Sequence, residues 1–266
     1  MTVKYLVTGA TGGLGSLVLA HLAANVPASE YAAASSSEAN RNRFEDRGIA
    51  FRVVNYDDPE SLESAFHNVE NLLFVSTNTF DVEKRRKQHQ NVVNAAKKAN
   101  VQHVRLYADA FPVFMGWYPG TSTVHLPSDG PSAFTLRSEL GEATAQLMIR
   151  GSEEEMVLLT AQESITFSEI VDVINETTGR KVQVQFVSRE DFPRLKAADD
   201  EGGKPERFFR ALVSWYDAIS KGEAKITDPL MVELLGRKPV SPREAIRAFL
   251  KENANYEWHQ NYVNRG

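Results

Sequence analysis

The chain has no cysteine among its 266 residues. That removes disulfides, thiolate metal sites and cysteine nucleophiles together. It has no apolar run of membrane-spanning length, and its first residues enter a strand-like segment too soon to leave room for a signal peptide. The formal charge of −5 is spread over both halves, with no field strong enough to hold nucleic acid by charge alone. Neither a membrane nor a direct nucleic-acid partner is therefore expected, and the expected location is cytoplasmic, with the nucleus as the alternative. Two catalytic patterns are also missing. None of the eight tyrosines is followed four positions later by a lysine, so the Tyr-x-x-x-Lys pair that delivers a proton from an acidified phenol is absent. There is no G-x-S-x-G nucleophile elbow, and the six histidines are scattered from His21 to His259 without metal-ligand spacing. No catalytic residue and no metal site is assigned from these patterns.

What is present is one strong local signal. With 42% hydrophobic and 24% charged residues the chain is long enough to bury a sizeable core. Val3–Val7 reads as a buried parallel strand, and the segment after it carries Leu14, Leu17, Val18 and Leu22 on one helical stripe. Between them lies Gly9-Ala10-Thr11-Gly12-Gly13-Leu14-Gly15. Glycine lets the backbone turn at positive φ and lets phosphate oxygens approach amide hydrogens, while the helix N-terminus adds partial positive charge. Three glycines spaced three apart would be weak evidence in isolation. Placed between a strand and a helix they form the fingerprint of a dinucleotide site, with Gly9, Thr11, Gly12, Gly13, Leu14 and Gly15 as its residues.

The following strands extend that site. The strand near Tyr31 to Ala34 ends in Ser35-Ser36-Ser37, with Arg41 and Arg43 soon after. An NAD site places an acidic residue there for the ribose 2′-hydroxyl; hydroxyls and arginine suit a 2′-phosphate better, so NADP(H) is preferred over NAD(H) with Ser35 and Arg41 as its contacts. The competing reading makes Arg41 and Arg43 solvated helix residues. A third strand, Ile49 to Val54, exits into Asp57-Asp58-Pro59, where Asp58 caps a helix and Pro59 opens it. Asp57 either borders the adenine or completes the turn. A fourth strand, Asn71 to Ser76, ends at Ser76-Thr77-Asn78. Strand ends at a topological switch point face the ligand crevice, which makes Ser76 and Thr77 candidates for the ribose and nicotinamide and Asn78 a candidate for the substrate side. Lys84-Arg85-Arg86-Lys87 opens the next helix among acidic and amide residues and reads as a solvated face. His89 reads as a packed or hydrogen-bonded helix residue.

These features, with the helix at Gln88 to Lys98, resemble the NmrA-like family of atypical short-chain dehydrogenases/reductases. The likeness continues through Leu106 to Pro112, Gly130 to Phe134, Arg137 to Ala143, Thr166 to Phe186, Asp228-Pro229 and Glu233 to Pro239. The resemblance implies a Rossmann-like doubly wound parallel sheet and NADP(H). It implies either an NADPH-dependent oxidoreductase of the quinone type or a redox sensor. The alternative is a non-catalytic regulatory protein whose NADP(H) occupancy controls a protein partner such as a transcription factor. One departure stands out. In the family, the strand that begins like Val101-Gln102-His103-Val104 runs to a serine-rich end, then a helix with a histidine and a Thr-Glu pair, then another strand. Here Val104 passes directly to Arg105-Leu106-Tyr107, as though a strand and a helix were missing between Val104 and Arg105. Loss of a dedicated acid does not by itself exclude hydride transfer, since the cofactor carries the hard chemistry.

Residues Phe111 to Pro127 read as irregular, with Tyr107, Phe111, Phe114, Trp117 and Tyr118 either walling a pocket for a flat apolar substrate or simply packing. Ser138 to Met148 reads as a helix and Glu155 to Leu159 as a strand. Thr166 to Glu169 is a capping box that opens a helix stopped by Gly179. Val182, Val184 and Phe186 alternate as a strand, and Lys196 to Arg207 reads as a loop. The expected division is a dinucleotide-binding domain over 1–150, with sheet residues also drawn from later segments, and a smaller C-terminal α+β lobe over 151–266.

Overall fold

The computed structural model describes residues 2–77, 79, 81–107, 122–151, 157–199 and 205–252. The chain divides into two compact units, Met1–Asp109 with Arg137–Met156, and Ala110–Leu136 with Val157–Gly266. Residues 122–136, expected with the first domain, thus group with the second unit, which is comparable in length to the first.

The first unit is an open parallel sheet of five strands: β1 (Val3–Val7), β2 (Tyr31–Ser35), β3 (Ala50–Val53), β4 (Val69–Val75) and β5 (His103–Tyr107), in the order β3-β2-β1-β4-β5. Tyr5 pairs with Tyr31 on one side and Asn71 on the other, and Leu73 pairs with Arg105. The intervening helices are α1 (Gly13–Asn25), the short α2 (Arg41–Glu45) after a 3-10 turn at Glu38–Asn40, α3 (Pro59–Phe66) and α4 (Val82–Lys98), followed later in the chain by α5 (Arg137–Arg150). Because crossovers are right-handed, α1 and α2 lie on one face and α3 and α4 on the other. Leu6, Ala32, Ala34, Leu72 and Phe74 form a core with Leu62, Phe66, Val92 and Ala96 of α3 and α4. Tyr5 and Val7, which alternate with Leu6, point to the opposite face. α5 packs along α1. The chain reverses direction of winding at β1, between β2 and β4, so a crevice opens at the carboxyl ends of these strands.

A six-stranded sheet of this type would continue beyond β5; among the described residues β5 is the last strand of the sheet. Val104 and Arg105, between which the sequence suggests a missing strand and helix, both lie within β5.

The second unit contains a two-stranded parallel sheet, β6 (Thr123–Leu126) and β7 (Gln183–Phe186), with α6 (Phe167–Thr178), α7 (Phe192–Asp199), α8 (Glu206–Ser220), α9 (Leu230–Leu235) and α10 (Pro242–Glu252). The stretch read as irregular up to Pro127 therefore holds a strand, because Val124 and Leu126 alternate into the core while Val124 pairs with Val184. The loop read over Lys196 to Arg207 is shorter: α7 runs to Asp199 and α8 starts at Glu206. Of the strand read at Glu155 to Leu159, residues 157–159 have no strand structure and the first two lie outside the described residues. The Thr166–Glu169 capping box makes both of its hydrogen bonds, and α6 ends at Gly179 with φ 71°. Asp129 reinforces that N-terminus by accepting from the amides of Phe167, at 2.8 Å, and Ser168, at 3.2 Å. No helix among the described residues is long and apolar enough to cross a membrane.

Candidate functional site

The glycine turn joins β1 to α1 at the switch point. Gly9 has φ 61°, a left-handed conformation costly for any residue with a Cβ, and its carbonyl accepts from the Gly12 amide at 2.8 Å. A Cβ on Gly15 would lie 2.3 Å from the Gly9 carbonyl oxygen, and one on Gly12 would lie 3.2 Å from the same atom. The first turn of α1 is therefore folded directly onto the preceding loop. Gly12 caps α1 without any side-chain hydrogen bond, and the leading amides of a helix have no intrahelical acceptor. The result is an electropositive set of N–H donors. Leu14 is buried in the core, so its contribution to a ligand would be its amide alone, whereas Thr11 is partly exposed. The open side of Gly13 is filled by Arg137 of α5: a Cβ on Gly13 would meet Arg137 Nη1 at 2.8 Å. No local pattern in the sequence links these two residues; only the packing of α5 on α1 does.

At the end of β2, Ser35 Oγ accepts from Asn40 Nδ2 at 3.0 Å and donates to the Ser37 carbonyl at 3.3 Å. Ser37 caps the 3-10 turn through the Ala39 amide. Arg41 is not an idle cation. Its guanidinium bonds both carboxylate oxygens of Glu38, with Nη2 at 3.0 Å from Oε2, and its Nη1 lies 2.7 Å from Glu45. Those two carboxylates hold its pKa above the usual arginine value. Arg43 is exposed, with its guanidinium over the Phe44 ring. The candidates for a 2′-phosphate thus follow one another at the strand end, and the polar groups of Ser35 and Arg41 are already paired with other groups of that segment.

At the ends of β1 and β4 a closed ring of hydrogen bonds forms. The Val75 amide donates to Thr8 Oγ1 at 3.0 Å, Thr8 Oγ1 lies 2.6 Å from the Tyr56 hydroxyl, and that hydroxyl donates to the Val75 carbonyl at 2.9 Å. Each hydroxyl has one proton, and Thr8 Oγ1 also lies 3.3 Å from the Leu73 carbonyl, so either oxygen can be the donor in the short contact. Burial pushes the Tyr56 phenol pKa well up, which keeps it neutral and a donor. Thr8 and Tyr56 had no motif to mark them; they fix the crevice floor.

Asp57 is drawn away from its own turn. Its Oδ2 accepts from Gln88 Nε2 at 3.0 Å and lies 3.9 Å from Lys84 Nζ, while its amide donates to Asn55 Oδ1. Both readings of Asp57 remain compatible with this placement, since turn and side-chain contacts use different atoms. Ser76 Oγ lies 3.0 Å from His89 Nε2, and Thr77 Oγ1 accepts from the Thr79 amide at 3.4 Å. The His89 ring packs edge-on against Phe74, and its pKa is held below the ordinary histidine value by burial, then by the nearby Arg85 charge. His89 is therefore bonded and packed, as read, but its partner is a candidate site residue. Of the substrate-side candidates, Tyr107 closes β5 with its side chain outside the described portion, and Asn78, Phe111, Phe114, Trp117 and Tyr118 lie outside the described residues.

The NmrA-like family model matches residues 1–113. The chain is 44% identical to the NmrA-like family domain-containing oxidoreductase flvB of Aspergillus flavus, over 99% of this chain and all of the relative. That alignment spans 307 positions against 266 residues here, so some forty positions of the relative have no counterpart in this chain. Quinone oxidoreductase 2 of Escherichia coli is 27% identical over 93% of this chain and 99% of its own. Among solved structures, the triphenylmethane reductase of Citrobacter sp. complexed with NADP(H) superposes with a TM-score of 0.78 at 29% identity, covering 92% of this chain and 99% of that one. An Escherichia coli NADPH-dependent quinone oxidoreductase complexed with NADPH has the same fold, with a TM-score of 0.81 at 23% identity over 93% of this chain and all of the other. The chain belongs to the NmrA-like family of the short-chain dehydrogenase/reductase type.

Proposed function

We propose that the chain binds NADP(H) across the carboxyl ends of β1, β2 and β4 and acts as an NADPH-dependent oxidoreductase on a flat conjugated acceptor of the quinone class. The observation that carries this reading is the glycine turn: an uncapped helix N-terminus above a loop in which added Cβ atoms would strike backbone. Such a cradle fits a diphosphate and little else. The relatives' NADP(H) complexes supply the dinucleotide's identity. In this reading the amides of Gly13, Leu14 and Gly15 hold the diphosphate, and Thr11 and Gly12 flank it. Ser35 and Arg41 take the 2′-phosphate, Asp57 borders the adenine, and Ser76 and Thr77 take the ribose on the nicotinamide side.

The bound cofactor supplies a hydride; the chain's task is to orient it and to manage protons. With no Tyr-x-x-x-Lys pair, the Ser76–His89 hydrogen bond is the proton-bearing contact beside the strand end proposed for the nicotinamide ribose. One observation favours a second reading. Some forty positions of the Aspergillus flavus relative have no counterpart here, and a chain that holds NADP(H) without turnover would act as a sensor for a protein partner. A cytoplasmic or nuclear location suits either reading. Fluorescence titration with NADPH and NADP⁺ should give saturable binding; no binding by either at high micromolar concentration removes both readings. NADPH oxidation over a panel of quinones then separates them. Steady turnover supports the oxidoreductase, and binding without turnover supports the sensor.

A further inference from the structure

Arg137 begins α5, and Gly13 begins α1. Four residues on, Gly141 of α5 meets Leu17 of α1 so closely that a Cβ on Gly141 would lie 2.6 Å from Leu17 Cβ and 3.3 Å from its carbonyl carbon. Positions four apart lie on one helical face. Arg137 over Gly13 and Gly141 over Leu17 are thus successive contacts of two helices that run in the same direction. The glycine pair sets the spacing: Gly141 lets α5 approach, and Gly13 leaves room for the Arg137 stem and guanidinium, with Cδ 3.1 Å and Cζ 3.2 Å from where its Cβ would be. The side chain is held across the first turn of α1, half-buried.

Electrostatics makes this placement informative. A cation at a helix N-terminus opposes the macrodipole, and α5 already carries Glu139 in its first turn for that purpose. The location therefore does not serve the dipole of either helix. It lies beside the amides that the glycine turn leaves uncapped, where a ligand's negative charge would concentrate.

We propose that Arg137 is a cofactor-binding residue that completes the cradle, adding charged hydrogen bonds to the dinucleotide's diphosphate alongside the amides of the glycine turn. This rests on the dinucleotide-binding reading above. It also accounts for Gly13, which lies outside the three-residue glycine spacing: the position is small so that the guanidinium can lie over it. A planar guanidinium suits two adjacent phosphate oxygens better than an ammonium does.

The test compares Arg137→Met, Arg137→Lys and Gly13→Ala with the native chain in NADPH and NADH titrations. It adds the thermal stabilisation of the ligand-free protein by inorganic pyrophosphate. Arg137→Met should weaken NADPH and NADH alike by about tenfold to a hundredfold, the usual effect of losing a charged hydrogen bond, and should abolish the pyrophosphate shift. Arg137→Lys should recover part of both. Gly13→Ala pushes aside only a flexible side chain, so it should keep the native melting temperature and still weaken both dinucleotides several-fold. It decides the matter should Arg137→Met fail to fold. Unchanged affinity in Gly13→Ala and Arg137→Met overturns the proposal, as does a loss confined to NADPH, which would place Arg137 at the 2′-phosphate. If the native chain binds neither dinucleotide, the functional reading fails separately. Pyrophosphate then decides for Arg137: a shift in the native chain that Arg137→Met lacks upholds it, and no shift in the native chain overturns it.

Discussion

The two neighbouring strand ends to which the proposed function assigns the cofactor's phosphates are built in different ways. After β1 the donors are backbone amides, fixed because Gly15 sits against the Gly9 carbonyl with no room for a methyl group. After β2 they are side chains, and each is already engaged: Ser35 with Asn40, Ser37 with the turn it caps, Arg41 with Glu38 and Glu45. The first cradle has no alternative state, because its geometry is the chain's own path. The second does, because Glu38 and Glu45 compete for the guanidinium that a 2′-phosphate would need. A rigid backbone site supplies affinity, and an exchangeable side-chain site supplies selection between closely related ligands.

The comparison breaks most sharply at Gly15. A Cβ placed 2.3 Å from a backbone oxygen must move backbone, so Gly15→Ala should cost about 1–3 kcal/mol of stability, as overpacked sites do. It should also weaken NADPH by at least about tenfold, since a shift in the turn moves every donor at once. Gly48 provides the control. It has φ 73° with open space where a Cβ would go, so Gly48→Ala should carry only the conformational penalty of about 1 kcal/mol and leave binding untouched. Denaturant melts and NADPH titrations on both variants read the difference; native-like affinity in Gly15→Ala would mean the turn does not hold the ligand.

A smaller effect is expected at the second strand end, and it should be selective. Arg41→Ala should weaken NADPH about tenfold relative to NADH, the scale of one charged contact. Glu38→Gln should do the reverse, tightening NADPH a few-fold, because it removes one competitor for the guanidinium without touching Glu45. Paired titrations with both dinucleotides decide it. Equal losses for NADPH and NADH in Arg41→Ala would return Arg41 to the role of an exposed helix residue.

The same contrast explains what could be read from the sequence. The glycine turn was legible because its requirement is local: a strand, three glycines in fixed spacing and an apolar helix stripe lie within a few residues of each other. The parallel sheet was legible for the same reason, strand by strand. Thr8, Tyr56 and Arg137 were not legible as parts of the site. Each acts through partners distant in the chain, and nothing in a threonine after a strand or an arginine before a helix states where it will point. β6 was hidden by its setting, four residues beside an aromatic, Gly/Pro-rich stretch, and its pairing partner is distant in the chain, with Thr123 set against Gln183. Short parallel strands depend on a distant partner, so local composition says little about them.

The third strand end, after β4, sharpens the comparison with the least energy at stake. His89 has a pKa below its ordinary 6.5, through burial first and Arg85 second. The unfolded chain therefore takes up this proton at a higher pH than the folded protein. The His89 contribution to stability is present in full above about pH 6.5, declines as pH falls through the interval down to the folded pKa, and is constant below it. His89→Gln, which keeps a polar partner for Ser76 but does not titrate, should flatten stability between pH 7 and pH 5 in denaturant melts; an unchanged slope would show that His89 is not the group involved. The measurement repeated with saturating NADPH tells which kind of strand end this is. If Ser76 is exchangeable, like Arg41, the ribose takes its hydroxyl from His89 and the pH slope of the loaded protein changes. If the slope is the same with and without NADPH, the Ser76–His89 bond at 3.0 Å is fixed structure, like the Thr8–Tyr56–Val75 ring beside it, and exchangeable side chains are confined to the end of β2.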